Sequence, residues 1–253
     1  MTEKKHKEEK LRLDRLLADR GLTESRERGR ALILAGQVLV NGQKIEKAGT
    51  LVPADAEVRV LGDRMPYVGR GGLKLEAALR EFKLDVAGMT ALDVGASTGG
   101  FSDCLLQQGA KKVYAVDVWY GQMAWKLRQD PRVVLLERTN IREIDPSLVP
   151  ESVDLAVIDV SFISLEKVVP SIIRFLKDAA SIVALIKPQF EVGKGVVGKG
   201  GIVRDEEARQ GAVDRIAACI RGLGFDVSGI IPSPITGQDG NQEYLIYAMH
   251  RKI

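Results

Sequence analysis

"LDVGASTGGFSD", residues 92–103, begins as the end of an apolar strand and turns into a glycine-rich loop. Leu92 and Val94 continue the run that opens at Met89, and Gly95, Gly99 and Gly100 then break it. Glycines directly after a strand let a ligand approach the backbone and open the N-terminus of the following helix. Asp93, Gly95, Ala96, Ser97, Thr98, Gly99, Gly100 and Phe101 are therefore candidate cofactor contacts. The spacing is Gly95-x-x-x-Gly99-Gly100, not the Gly-x-Gly-x-x-Gly of dinucleotide folds.

Outward from this loop, strands and helices alternate. "MTALDVG", "KKVYAVDV", "RVVLLE", "VDLAVIDV" and "SIVALIK" are five short, nearly continuous apolar runs. Helical patterns separate most of them, around 99–109, 120–129 and 164–177. Such runs mark strands buried on both faces of a parallel sheet. A long helix over about 205–222 precedes "FDVSGII" and "EYLIYAMHR", which a polar turn joins. The sheet should thus end in an antiparallel hairpin, the layout of the seven-strand methyltransferase fold. The second run ends in Asp117, where a carboxylate can accept bonds from both ribose hydroxyls of a nucleoside. Together the loop and Asp117 point to S-adenosylmethionine more than NAD, and Val118 beside Asp117 is a further candidate cofactor contact. Asn140 is either an adenine-side neighbour or a helix cap.

Ligands of such sheets bind beyond the carboxyl ends of the strands. The fourth run ends at Asp159, which also counts among the cofactor contacts, the fifth ends at Lys187, and the last begins at Glu243. The helix "LKLEAALREF" before the sheet carries Lys74 in its first turn. Four charged residues are expected to converge at one edge of the cofactor. Pro188 cannot donate to a continuing ladder, so it should end the fifth strand at Lys187.

The N-terminal quarter reads differently. Residues 1–62 hold 13 Lys+Arg against 10 Asp+Glu, a net of +3, whereas the remaining 24 and 24 balance. That asymmetry is compatible with a polyanion partner or with solvated surface helices. Residues 1–10 read as a disordered charged tail, 11–61 as a compact module, 62–69 as a linker and 70–253 as the larger domain. Within the module, "LRLDRLLADRG" is a helix on Leu13, Leu16 and Leu17, stopped by Gly21. "TESRERGRALILAG" is a second, capped by Thr23 and Gly36. Asn41-Gly42 is a tight hairpin turn between short strands.

The module resembles the αL RNA-binding domain of a small-subunit ribosomal protein, pseudouridine synthases and tyrosyl-tRNA synthetases, through "RLDRLLADRGLTESRERGRALILAGQVLVNGQKIEKAGTLV". Arg26 and Arg30 share one face of the second helix, and with Arg12, Lys44 and Lys47 they form a candidate phosphate-binding surface. Arg70, at the entry to the larger domain, joins this set.

"GRGGLKL", "LDVGASTGGFSD", "VDVWYGQ", "DVSFISL", "LIKPQFE", "GKGGIVRD" and "GNQEYLI" resemble the TlyA, or hemolysin-A-like, ribosomal RNA 2'-O-methyltransferases over nearly the whole chain. The resemblance implies an α/β fold: a Rossmann-like seven-stranded class I methyltransferase domain of the FtsJ type behind a small N-terminal α+β RNA-binding domain. It places the family's Lys-Asp-Lys-Glu tetrad on Lys74, Asp159, Lys187 and Glu243. It further implies S-adenosylmethionine as cofactor and a ribose of ribosomal RNA, on cytidine, as acceptor. Gly69 stands where the family pattern has serine. In that mechanism Lys187 orients the 2'-oxygen and, when neutral, takes its proton, Asp159 positions Lys187, and Glu243 holds Lys74 or Lys187.

The alternatives are a non-catalytic ribosome assembly factor and a hemolysin. Against lysis, no run of about 18 apolar residues and no secretory leader is present. A base N-methyltransferase would carry prolines after Asp159, and a cytosine carbon-5 enzyme would need a cysteine there. Cys104 and Cys219 fall in helical stretches and read as core residues. With only His6 and His250 beside them, no metal site is expected. The expected compartment is the cytoplasm, the expected partners are ribosomal RNA or subunits with no membrane, and the expected state is a monomer or weak dimer. The glycine-rich stretch 191–205, with Lys194 and Lys199, is either a loop that closes on RNA or a floppy connection.

Overall fold

The computed structural model describes residues 10–61, 65–193, 195–237 and 239–250. The tail expected over residues 1–10 lies outside them except for Lys10. The chain forms two compact units, residues 1–64 and 65–253.

In the first unit, β1 (Lys10–Arg12) pairs antiparallel with β4 (Leu51–Pro53). Helices α1 (Leu13–Asp19) and α2 (Arg26–Leu34) pack together, and Gly29 lets them approach, since a Cβ there would lie 3.3 Å from the Asp14 carbonyl. The cap of α2 is Ser25 rather than Thr23: the Ser25 backbone is extended and its Oγ accepts from Arg28 N–H at 3.1 Å. Thr23 instead donates to the Ser25 carbonyl. β2 (Val38–Val40) pairs with both β3 (Gln43–Lys44) and β5 (Val58–Val60). Asn41 and Gly42 both take positive φ, as a two-residue hairpin requires. Leu13, Leu16, Leu17, Ile33, Val38 and Val52 make the core.

The second unit opens with α3 (Gly71–Glu81), then β6 (Thr90–Val94), α4 (Gly100–Gln107), β7 (Lys112–Val116), α5 (Trp125–Arg128), β8 (Val133–Leu136) and β9 (Val153–Ile158). It continues through α6 (Leu165–Ile172), β10 (Leu176–Ile186), α7 (Pro188–Glu191), α8 (Glu206–Gly222), β11 (Phe225–Pro232) and β12 (Tyr244–His250). The seven-stranded sheet runs β11-β12-β10-β9-β6-β7-β8, parallel from β10 to β8, with β12 antiparallel to both of its neighbours. Strand alternation feeds two cores. Leu92, Ala156, Ile158, Ile182 and Ile186 face α6 and α8; Ala91, Leu155, Val157, Val183 and Leu185 face α3 and α4. No helix among the described residues is long and apolar enough to cross a membrane.

Several elements differ from expectation. The helix expected over 120–129 shrinks to α5, because Gly121 has positive φ and Ala124 is extended. β10 starts five residues before Ser181, at Leu176. Cys104 is buried in the core, whereas Cys219 sits on the partly exposed flank of α8. Residues 66–68, expected within the linker, pack on α4: Tyr67 is buried, and Val68 N–H donates to Asp103 Oδ2 at 2.8 Å.

Candidate active site

The register of the sheet sets the site. Ile186 pairs with Tyr244, so the next residues outward, Lys187 and Glu243, emerge side by side at one end of the sheet. β9 and β6 end there too, and Asp159 N–H still donates to the Val94 carbonyl at 2.9 Å. Pro188 occupies the first turn of α7, so it both stops β10 and starts a helical turn, and Lys187 is held between two fixed elements.

The four charged residues form two ion pairs. Lys187 Nζ lies 2.6 Å from Asp159 Oδ1 and donates to Ser161 Oγ at 2.9 Å. Lys74, one turn into α3, donates to Glu243 Oε2 at 2.5 Å. Lys74 and Lys187 are each 8% exposed and Glu243 is 2% exposed. Burial at this depth leaves little water to screen the pairs.

Asp159 also lines two adjoining cavities. The larger, about 520 Å³, is bounded by Gly95, Ser97, Asp117, Val118, Asn140 and Phe162 among others. The smaller, about 100 Å³, lies between Gly71 and the loop Gly95–Phe101. Gly95 has φ +87°, and a Cβ there would stand 2.4 Å from the Asp159 carbonyl oxygen. Gly99, at the N-cap of α4, has φ +96°. Asp117 is fixed by Ser97 N–H on Oδ2 (2.6 Å) and Trp119 N–H on Oδ1 (2.8 Å), leaving each oxygen further lone pairs. A carboxylate beside a glycine cradle, in a cavity of ligand size, fits a nucleoside cofactor such as S-adenosylmethionine. Asn140 lines the same cavity while its Oδ1 accepts from Arg142 N–H at 3.2 Å, so it serves the loop and the cavity together.

Asp93 is placed otherwise than expected. It is fully buried beneath the loop, lines neither cavity, and accepts from Ser102 Oγ at 2.6 Å. It packs beneath the cradle, behind the loop that faces the cavities. Burial pushes its carboxyl up to about 7; the Ser102 bond opposes this, and the charges of Asp159 and Asp117 add to it. A neutral native carboxyl that ionises near 4 when unfolded favours the unfolded chain as pH rises. Stability should therefore fall between pH 4 and 7, by a few kcal/mol. In Asp93→Asn, urea midpoints measured across that range should lose this slope; an unchanged slope would reject the assignment.

Ser161 and Phe162 escaped the sequence reading, although "DVSF" displays both. Phe162 is 89% exposed at φ +64°, with its ring 5.0 Å from that of Phe190. Arg70 donates to the Thr236 carbonyl at 3.2 Å. Gly69, where serine was expected, faces Thr98: a Cβ would meet its Oγ1 at 2.5 Å.

In the first unit Arg12 and Arg26 converge on buried Asp14, at 2.8 and 3.2 Å. The Arg12 guanidinium, foremost, holds the Asp14 carboxyl down at about 2. Both guanidinium groups remain about half exposed. Lys44 pairs with Glu46 at 3.0 Å, and Arg30 and Lys47 are exposed.

Such a sheet, with a glycine loop after β6, a cavity-lining carboxylate after β7 and an antiparallel hairpin at its edge, is that of a class I methyltransferase. The chain belongs to the FtsJ-like methyltransferase family, whose model matches residues 67–249, and an S4 domain matches residues 11–58. The 16S/23S rRNA (cytidine-2'-O)-methyltransferase TlyA of Mycobacterium tuberculosis is 46% identical over 237 residues, 93% of this chain and 88% of that one. Hemolysin A of Brachyspira hyodysenteriae is 42% identical over 238 residues, 94% and 99% of the two chains. A solved chain from Streptococcus thermophilus, described as a candidate hemolysin, has a TM-score of 0.75 at 43% identity, covering 96% and 89%.

Proposed function

We propose that this chain transfers a methyl group from S-adenosylmethionine to the 2'-hydroxyl of a cytidine in ribosomal RNA. The observation that carries this reading is the pair of ion pairs at the carboxyl edge of the sheet, Lys74–Glu243, which is buried, and Lys187–Asp159, in which the buried lysine meets a half-buried carboxylate. The bound cofactor supplies an electrophilic methyl on sulfonium, so the protein's share is alignment and modest activation of a poor nucleophile.

Lys187 is the residue suited to that share. A neutral amine has two N–H donors and one lone pair. Ser161 Oγ accepts one N–H and Asp159 Oδ1 lies 2.6 Å from the nitrogen, so the amine is held in place and, in its neutral form, has its lone pair for the proton of an incoming hydroxyl. Glu243 fixes Lys74, whose charge stands on the far side of the same edge. Gly95–Phe101, Asp117, Val118 and Asn140 are the proposed cofactor contacts. The cations Arg12, Arg26, Arg30, Lys44, Lys47 and Arg70 are the proposed phosphate contacts.

Phe162 supports a nucleic acid acceptor. A large ring held exposed on a left-handed backbone, one residue from the serine that holds Lys187, is placed to stack on a base. Stacking is worth about 1–3 kcal/mol per base, so Phe162→Ala should raise the KM for RNA about tenfold. Cofactor affinity, measured by calorimetry, should stay as in the wild type. An unchanged KM would remove Phe162 from the acceptor site.

The deciding experiment is methylation of purified ribosomal subunits, and of the free RNA, with labelled S-adenosylmethionine, followed by mass-spectrometric mapping. A 2'-O-methylated cytidine is the expected product. Tight subunit binding without transfer would instead favour an assembly factor.

A further inference from the structure

We infer that Asn241 is a positioning residue for methyl transfer: its amide ties the glycine-rich strap, residues 195–205, to the turn that carries Glu243. The inference deepens the reading above and rests on it.

The geometry is that of a bracket with two ends. Asn241 is 2% exposed. Its Oδ1 accepts from Val203 N–H at 3.0 Å, and its Nδ2 donates to the Gly201 carbonyl at 2.8 Å. Val203 is itself buried, whereas residues 195, 196 and 198–201 are exposed. Gly200 and Gly201 take φ of +79° and +76°, and the Gly198 N–H bonds the Ile202 carbonyl at 3.1 Å. The strap is therefore a solvent-facing loop clamped at Val203 and Gly201 by the buried Asn241 side chain, with Arg209 Nη1 also donating to the Val203 carbonyl at 3.4 Å. Lys199 and Arg204 place positive charge on it.

The other side of Asn241 leads into the catalytic edge. Its carbonyl accepts from Gly237 N–H at 2.9 Å, closing the turn. A Cβ on Gly237 would stand 2.5 Å from Glu243 Oε1, so this turn packs directly on the carboxylate that holds Lys74. Glu243 is two residues from Asn241, and its own carbonyl accepts from Ser233 N–H at 2.8 Å. Hydrogen bonds thus join the strap to the turn, the turn packs on the Glu243 carboxylate, and that carboxylate bonds Lys74, so the strap and the ion pair are linked by continuous contacts. A phosphate held by Lys199 or Arg204 bears on Glu243 through Asn241. Misplacement of a catalytic group by a fraction of an ångström costs rate without costing cofactor binding.

The test uses the full chain and purified ribosomal subunits. Asn241→Ala removes both ends of the bracket; Asn241→Asp keeps the acceptor facing Val203 and removes the donor facing Gly201. Loss of a buried hydrogen-bonding partner should raise exchange of the Val203 amide about tenfold or more in Asn241→Ala, with protection retained in Asn241→Asp. Both variants should lower kcat about tenfold, with cofactor affinity within about twofold of wild type. In the double variant with Glu243→Gln the losses should not multiply, because one chain of contacts is cut twice. Unchanged kcat alongside faster Val203 exchange, or fully multiplicative losses with Glu243→Gln, overturns the inference. Absence of transfer by the wild type would instead overturn the proposed function and take the inference with it; the exchange measurement distinguishes the two failures. Should Asn241→Ala fail to fold, Asn241→Asp alone carries the kinetic test.

Discussion

Replacing Lys187 by alanine should reduce methyl transfer by about a thousandfold or more while leaving S-adenosylmethionine affinity within a few-fold. The amine is the group that meets both Asp159 and Ser161, and its position depends on rigid backbone from β10 and α7. Removing it deletes the proposed proton acceptor and leaves the Asp159 carboxylate, whose Oδ1 lies 2.6 Å from the amine nitrogen, without its partner. The cradle at Gly95 and the Asp117 carboxylate lie on β6 and β7 loops and are untouched. Lys187→Arg separates two explanations. Arginine keeps the positive charge and the pairing with Asp159 but cannot be deprotonated in a protein. Activity lost in both variants supports proton acceptance; activity kept in the arginine variant means that Lys187 acts through charge and orientation alone. Full activity of the alanine variant on a verified substrate would sink the assignment of Lys187.

The fold was legible because its strands are buried on both faces. Runs such as Leu155–Ile158 and Ile182–Ile186 have no polar side to offer water, and a covered parallel sheet uses them. The residues flanking those runs were legible for the same reason: Asp159 and Lys187 interrupt apolar sequence abruptly. What the sequence could not rank was local chemistry with several equivalent solutions. Thr23 and Ser25 are both good caps, and only the extended backbone at Ser25 selects between them. Asp93 and Asp117 both follow apolar runs, yet one is sealed beneath the loop and the other opens onto the cavity, a difference set by packing across strands. Which base partner each lysine would choose was equally hidden. Glu243 could serve Lys74 or Lys187, and it takes Lys74 because Asp159 and Ser161 already occupy Lys187.

Gly95→Ala should impair cofactor binding by about a hundredfold and reduce transfer at least as far, a large effect for one methyl group. Two costs combine there. A φ of +87° disfavours any side chain by about 1–2 kcal/mol. The second cost is steric and cannot be relaxed locally. The added carbon would lie 2.4 Å from the Asp159 carbonyl oxygen, 2.9 Å from its carbonyl carbon and 3.3 Å from Val160 Cα, all of them backbone. Backbone at the end of β9 cannot rotate away as a side-chain tip would, so either the loop lifts or Asp159 moves. A lifted loop opens the cradle; a displaced Asp159 carries Lys187 with it. Gly88→Ala is the control, with φ +73° and no heavy atom within 4 Å of its Cβ. That variant should show the backbone cost alone, as a small shift in the urea midpoint with cofactor affinity unchanged. Calorimetric titration of both variants decides the matter. If Gly95→Ala binds S-adenosylmethionine as tightly as the control, the loop does not depend on its close approach to Asp159, and the cradle must be sought elsewhere along the strand ends.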